Sequence, residues 1–220
     1  MADILVEARE ASLVYGKGTG VVEAVARATC TVEAGDRIAL VGPSGSGKST
    51  LLYLLAGLER PSSGQILWPP LGDARFVSPI VAGFAFQSPN LLPALTAIEN
   101  VAVPLLIAGV AVAQAHETAA AMLARFDLVD VADRYAEDLS AGQAERVGLA
   151  RALVCRPSMV LADEPTGQLD GSTATRVIDR LLEAADDSAA AVIVATHDER
   201  IALRFRTRWT MRHGALETAS

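Results

Sequence analysis

Residues 42 to 50 read Gly-Pro-Ser-Gly-Ser-Gly-Lys-Ser-Thr, directly after the apolar run Ile38-Ala39-Leu40-Val41 and directly before Leu51-Leu52-Tyr53-Leu54-Leu55. Gly42, Gly47, Lys48 and Ser49 fill the pattern G-x-x-x-x-G-K-[ST], and the chemistry this spacing suits is the grip of a nucleoside triphosphate. Gly42, Gly45 and Gly47 admit backbone angles closed to other residues. A loop through Pro43, Ser44 and Ser46 can therefore curl with its N–H groups turned inward on phosphate oxygens. Lys48 can reach the β- and γ-phosphates as a point charge, and the Ser49 hydroxyl can enter the coordination shell of a Mg²⁺ ion. Thr50 leads into a helix whose N-terminal end adds positive potential.

Asp163 and Glu164 close the apolar stretch Met159-Val160-Leu161-Ala162. A buried parallel strand carries its functional groups at its C-terminal end, where ligands of α/β sheets sit. Asp163 there could hold Mg²⁺ through a water, and Glu164 could polarise a water for in-line attack on a γ-phosphate. The competing local reading is two charges starting a surface turn before Pro165. His197 follows another apolar strand, Ala190 to Ala195, and could hydrogen-bond a γ-phosphate, although an isolated histidine more often has a structural role. Gln87 ends the short run Gly83-Phe84-Ala85-Phe86. Tyr15 could stack on an adenine ring, but an aromatic closing a strand against the core is the commoner outcome. His116 and His213 read as an exposed helix residue and a C-terminal turn residue with no assigned chemistry. Ser140 and Gln143 fit the S-x-x-[EQ] capping box that opens a helix.

The elements that must position these groups alternate in type. Ile4 to Val14 reads as an edge strand and Val21 to Val32 as more strand. A turn at Glu33-Ala34-Gly35-Asp36 delivers the chain into the buried strand Arg37 to Val41. After the loop and its helix, Arg60-Pro61-Ser62-Ser63-Gly64 breaks the helix, and Gln65 to Trp68 is a short strand ended by Pro69-Pro70. Leu71 to Ala82 has little periodicity and reads as irregular. Thr96 to Leu139 reads mostly as helices, with Leu123, Phe126 and Leu128 as buried positions. The helix opened at Ser140 puts Val147, Ala150, Leu153 and Val154 on one face. Ser172 to Ala185 is amphipathic, with Val177, Ile178, Leu181, Leu182 and Ala185 on one stripe.

Composition limits the possible partners and compartments. A chain of 220 residues, 51% hydrophobic, can bury the core of one α/β domain with a smaller subdomain, and holds one nucleotide cassette rather than two. The net charge of -7 argues against a nucleic-acid backbone as main partner. Cys30 and Cys155 have neither zinc-site nor disulfide-framework spacing, which makes a reducing, cytoplasmic compartment the expectation. Met1-Ala2-Asp3 begins no basic and apolar leader, so no secretory signal is expected. The longest apolar run, Val101 to Ala113, has 13 residues with Pro104 and Gly109 inside it, short of the about 20 a membrane helix needs. The arginines at 200, 204, 206, 208 and 212 read as a solvated basic face, with a polar membrane-proximal contact as the alternative.

The ordered set GPSGSGKST at 42 to 50, Gln87, LSAGQ at 139 to 143, VLADEPT at 160 to 166, QLD at 168 to 170 and His197 resembles the ATP-binding-cassette ATPases over nearly the whole chain. LLYLLAGLERPSSGQI at 51 to 66, FQSPNLLPALTAIENVAVPLL at 86 to 106 and ADEPTGQLD at 162 to 170 are similar to the subfamily serving lipoprotein-release, macrolide-export and cell-division permeases. The resemblance implies an α/β P-loop NTPase with a RecA-like core, an N-terminal antiparallel β subdomain and an inserted helical subdomain. On that division, 1–90 and 157–220 form the β subdomain plus core, and 91–156 the helical part.

The resemblance also implies a head-to-tail homodimer with two ATP molecules at its interface. Gly42 to Thr50 of one subunit would hold the phosphates, and Ser140 and Gly142 of the other would cap the γ-phosphate. Gln143 would belong to the same signature. Tyr15 would stack on adenine, Gln87 would sense Mg²⁺ and the attacking water, Asp163 would hold the metal with Ser49, and Glu164 would be the base. His197 would hold the γ-phosphate, and Asp170 would link the two sites. Two departures stand out: Ala141 where the family usually has Gly, and a segment from Gly64 to Gln87 shorter than in most relatives of the subfamily. The expected function is the cytoplasmic ATP-hydrolysing subunit, peripheral on the inner face of the cell membrane, that drives a separate integral membrane permease in transport or in mechanotransmission. A soluble ATPase acting on nucleic acid or the ribosome is the alternative, and a non-catalytic scaffold is a third reading.

Overall fold

The computed structural model describes residues 3–16, 20–71 and 81–218. They form two sheets. The larger has six strands in the order β5 (Ala82–Ala85), β6 (Met159–Asp163), β7 (Ala191–Thr196), β3 (Arg37–Val41), β8 (Thr207–Arg212) and β9 (Ala215–Thr218). β5 to β8 run parallel and β9 closes the sheet antiparallel to β8. Every residue of β6 and β7 is buried, as expected of strands covered on both faces.

Alternation along these strands sorts side chains between two cores. Met159 and Leu161 of β6, Ile193 and Ala195 of β7, and Ile38 and Leu40 of β3 face the core that holds α1 (Lys48–Leu55) and the second sheet. Val160, Ala162, Val192 and Val194 face the opposite core. That second core contains α2 (Ala97–Ile107), α3 (Val112–Arg125), α4 (Ala141–Leu153) and α5 (Gly171–Asp186). α1 buries Leu51, Leu52, Leu54 and Leu55, nearly all round its axis, because sheet lies on both sides of it. α5 buries only the stripe Ala174, Val177, Ile178, Leu181, Ala184 and Ala185, while Leu182 is half-buried. Leu123, Phe126 and Leu128 are buried as expected.

The second sheet corrects one expectation. β1 (Ile4–Tyr15) is not an edge strand; it lies between β2 (Val22–Glu33) and β4 (Ser63–Leu67), antiparallel to both. β4 returns after α1 to pair Glu7 with Leu67 and Arg9 with Gln65, a long-range contact that periodicity within β1 does not announce. The expected irregular stretch from Leu71 to Ala82 falls mostly on residues 72–80, outside the described residues. Among the basic residues near the C-terminus, Arg200 pairs with Asp198, Arg204 with Asp179 and Arg208 with Glu199, in keeping with a solvated face. Thr207 to Arg212 is nonetheless a sheet strand, with Trp209 and Met211 buried. Among the described residues, no helix is long and apolar enough to cross a membrane.

Candidate nucleotide site

Strand register gathers the site. Val41 is level with Thr196, and Asp163 is level with Ala195, so the segments that follow β3, β7 and β6 leave the sheet at one edge. A cavity of about 740 Å³ opens there. Its floor is the loop before α1, with Ser44, Gly45, Gly47, Lys48, Ser49 and Thr50 on the wall. Gly47 caps α1 at φ 104, and a Cβ there would lie 2.1 Å from the Ala24 carbonyl oxygen; one at Gly42 would lie 2.2 Å from that of Met211. Any larger residue would push the loop off β2 or β8.

Lys48 is only 5% exposed, and its Nζ donates to the carbonyl oxygens of Gly42 at 2.9 Å and Pro43 at 3.1 Å. Those two residues thus shape the loop and hold the lysine. The same Nζ stands 3.8 Å from Glu164 Oε1. Glu164 Oε2 stands 3.3 Å from Nδ1 of His197. Glu164 sits just past β6 at φ 46, an uncommon setting for a non-glycine residue, and its N–H donates to the Ala195 carbonyl.

Asp163 belongs to the alternation that faces α1 and is 1% exposed. Neither carboxylate oxygen has a hydrogen-bond partner. Burial pushes its carboxyl above the usual range; the Ser49 hydroxyl draws it back, Glu164 pushes it further up and Lys48 draws it down. An unpartnered buried carboxylate beside a hydroxyl fits a hard cation that takes few protein oxygens and fills its shell with water and phosphate. Among the described residues there is no group of three or more His, Cys, Asp or Glu side chains that would hold a metal unaided. Ser46 is also buried with an unpartnered hydroxyl, against Gly42.

Gln87, Glu164 and His197 therefore meet the phosphate loop at one cavity. Other predicted site residues lie elsewhere. Tyr15 is 41% exposed and is not part of the cavity wall. Ser140 is the N-cap of α4: its hydroxyl accepts from the Gln143 N–H at 3.3 Å, and Gln143 Oε1 accepts from the Ser140 N–H at 2.8 Å. Gly142 packs so closely on Leu169 that a Cβ would come within 2.6 Å of its Cδ2. Asp170 caps α5, accepting from the Ser172 hydroxyl and from the N–H groups of Ser172 and Thr173; the Ser172 and Thr173 side chains first, then those N–H groups, hold its carboxyl far below the usual range. Within one chain, Ser140, Gly142, Gln143 and Asp170 are outside the cavity wall.

Two further residues are not apparent from the sequence. His213, in the β8–β9 turn, lines the cavity together with Val22, Glu23 and Ala24 of β2. Glu145 is buried on α4, with Oε1 accepting from the Gln168 N–H at 2.9 Å and Oε2 unpartnered. A carboxylate among the buried positions of a helix is the signal that could reveal it.

The family model described as "ABC transporter" matches residues 25–167, from β2 through the phosphate loop and α4 to the turn after Glu164. The chain belongs to the ABC transporter family. This ABC ATPase is 42% identical over 223 residues to the lipoprotein-releasing system ATP-binding protein LolD of Legionella pneumophila strain Lens, covering 98% of each chain. It is 38% identical to the LolD of Idiomarina loihiensis, again over 98% of both. Among solved structures, the ATP-binding cassette MJ0796, in a dimeric post-hydrolysis state bound to ADP and Pi, superposes with a TM-score of 0.89 at 29% identity, covering 97% of this chain and 98% of that one. The cassette CbiO1 of Clostridium perfringens, part of the transporter complex CbiONQ, superposes with a TM-score of 0.80 at 26% identity, over 98% and 87%. The ABC ATPase thus has the expected P-loop cassette architecture, with its mixed sheet and antiparallel β subdomain.

Proposed function

We propose that this ABC ATPase powers a separate integral membrane permease in lipoprotein release, as a head-to-tail homodimer peripheral on the inner membrane face. The single observation that carries the catalytic part is the Glu164 carboxylate, set between Lys48 and His197 at the mouth of the phosphate loop. The names of the LolD relatives support the substrate class.

ATP enters with its γ-phosphate toward Glu164 and His197. Lys48 exchanges the Gly42 and Pro43 carbonyls for β- and γ-phosphate oxygens, and the N–H groups of Ser44 to Thr50 take the remaining oxygens. Ser49 and Asp163 would hold Mg²⁺, with Gln87 at the same edge, and the ion would supply positive charge against that of the phosphates. Glu164 accepts the proton of the attacking water, and His197 donates to the γ-phosphate while orienting that carboxylate. Tyr15, beside Val22 in the β1–β2 pairing, stacks on adenine. Ser140 and Gly142 of a second copy, at the start of its α4, close on the γ-phosphate. Asp170 of that copy lies near the same seam.

The helical subdomain, assigned as 91–156 against 1–90 and 157–220, carries the stroke to the permease. An apolar groove of about 290 Å³ beside Gln87, lined by Phe84, Phe86, Leu92, Val103 and Pro104, supports a docking place for it. Arg151 fastens the segment after Gln87 to α4 by donating to the carbonyls of Pro89 and Asn90.

Mixing two inactive variants tests the arrangement. A head-to-tail dimer of Lys48→Ala with Ser140→Ala subunits keeps one intact site, built from the loop of the second and the α4 of the first. ATP turnover should reappear on mixing; two variants that stay inactive together would rule out the shared site. Recovery of a membrane permease with the protein from detergent-solubilised membranes tests the partner.

A further inference from the structure

The turn that joins β8 to β9 breaks a local rule at a place that faces the nucleotide cavity. Arg212 pairs with Ala215, leaving His213 and Gly214 as a two-residue hairpin loop, and both have positive φ, 46 and 80. That is the type I′ pattern, in which Asn, Asp or Gly is the usual first residue. Histidine tolerates this backbone region but is not the turn's own preference. A local choice that departs from turn chemistry and lines a functional cavity is where function is to be sought.

The turn is fastened to the phosphate loop. Gly214 donates its N–H to the Ser46 carbonyl at 3.0 Å, and its own carbonyl accepts from Ala26 at 2.8 Å. A Cβ on Gly214 would lie 3.1 Å from the Glu23 carbonyl oxygen. His213 is therefore carried on a short arm anchored to both the loop and β2, while its side chain stays exposed on the wall of the cavity.

Strand order decides which end of a nucleotide it meets. Across the sheet come β6, β7, β3 and β8, followed in turn by Glu164, His197, the phosphate loop and His213. At about 4.8 Å per strand, β6 and β8 lie about 14 Å apart, on opposite sides of the loop. The γ-phosphate belongs with Glu164 and His197, so the nucleoside must leave the loop on the β8 side. Val22, the β2 residue paired with Tyr15, lines the cavity on that same side.

We propose that His213 is a nucleotide-contacting residue that engages the nucleoside end of bound ATP, donating or accepting at the ribose from the wall opposite Glu164. The juxtaposition behind it is the Gly214–Ser46 bond, which holds His213 next to the loop on the cavity wall it shares with Val22. The inference rests on the ATP site proposed above and adds a subsite to it.

The test is binding rather than turnover, with ADP and inorganic pyrophosphate as probes, by calorimetry on the whole chain. His213→Asn and His213→Gly both suit a type I′ turn, so the variants should melt at or above the wild-type temperature. ADP affinity should fall about tenfold in both, the size of a single hydrogen bond. Pyrophosphate affinity should not change. Equal ADP affinity in wild type and both variants would overturn the proposal, as would an equal loss for pyrophosphate, which would place the contact on the phosphates. Failure of the wild type to bind ADP would instead bring down the nucleotide site itself.

Discussion

Glu164 and His197 face each other across the mouth of the cavity, with Oε2 of the carboxylate 3.3 Å from Nδ1 of the imidazole, while Lys48 holds the other oxygen at 3.8 Å. Two strands bring this about: β6 ends at Asp163 and β7 ends level with it, so residues far apart in sequence but adjacent in the sheet arrive at the same point. Replacing Glu164 by Gln keeps the volume and one acceptor but removes the base. ATP turnover should fall by about 10²- to 10⁴-fold with nucleotide affinity held within a few-fold. Steady-state hydrolysis and direct nucleotide titration measure the two halves; an unchanged rate would remove Glu164 from the role of base.

Asp163 predicts the opposite of the usual response to losing a charged residue. Its two oxygens are buried without hydrogen-bond partners, so in the nucleotide-free fold the cost of burial outweighs the help of the nearby Ser49 hydroxyl and Lys48 charge. Asp163→Asn should raise the stability of the nucleotide-free protein, by an amount on the order of 1–3 kcal/mol. It should also remove the dependence of ATP binding on Mg²⁺. Thermal melts without nucleotide, and titrations with and without the metal, check both effects.

Burial raises the carboxyl of Glu145, and the Gln168 N–H draws it partly back. The folded protein therefore holds this proton more tightly than the unfolded chain. The associated stability is fully present below the ordinary carboxylate pKa and is lost as pH rises from there through the raised value. Glu145→Gln keeps an acceptor for Gln168 and should flatten the fall in melting temperature over that window, ending at or above wild type at neutral pH. Glu145→Ala leaves the Gln168 N–H without this acceptor and should cost about 1 kcal/mol.

Ser140 has two roles that a pair of variants separates. Its hydroxyl caps α4 in a reciprocal box with Gln143. Ser140→Ala should cost about 1 kcal/mol of folding stability through the cap alone. Ser140→Asp retains an N-cap acceptor, yet puts negative charge where a partner's γ-phosphate would close. Stability should therefore return in the Asp variant while ATP turnover stays low, and turnover that tracked stability would leave Ser140 as a cap only.

The features legible in the sequence share one property: their meaning lies within a few residues. The loop from Gly42 to Thr50, the Ser140–Gln143 box, the stripe of Val177, Ile178 and Leu181, and the carboxylates after Met159–Ala162 each follow from local pattern and backbone preference. β1 reads as an edge strand because its neighbour β4 arrives only after the loop and α1 have intervened. His213 resembles any turn residue in sequence, and its place at the cavity comes from the bond between Gly214 and Ser46, far away in the chain. Glu145 shows in the sequence only as a carboxylate among the buried positions of α4, while its unpartnered oxygen is a property of its surroundings.

By itself, then, the order of amino acids determined the phosphate-gripping loop, the strand ends that carry Asp163, Glu164 and His197, and the helix caps, since these depend on short-range sterics, dipoles and hydrogen bonds. Only the tertiary structure decided that Lys48, Glu164 and His197 share one point, that Asp163 is left without a partner, and that His213 stands on the cavity wall beside β2. Those relations are set by which strands pair and in what register, and pairing is chosen by burying both faces of a sheet at once, a condition no single segment contains.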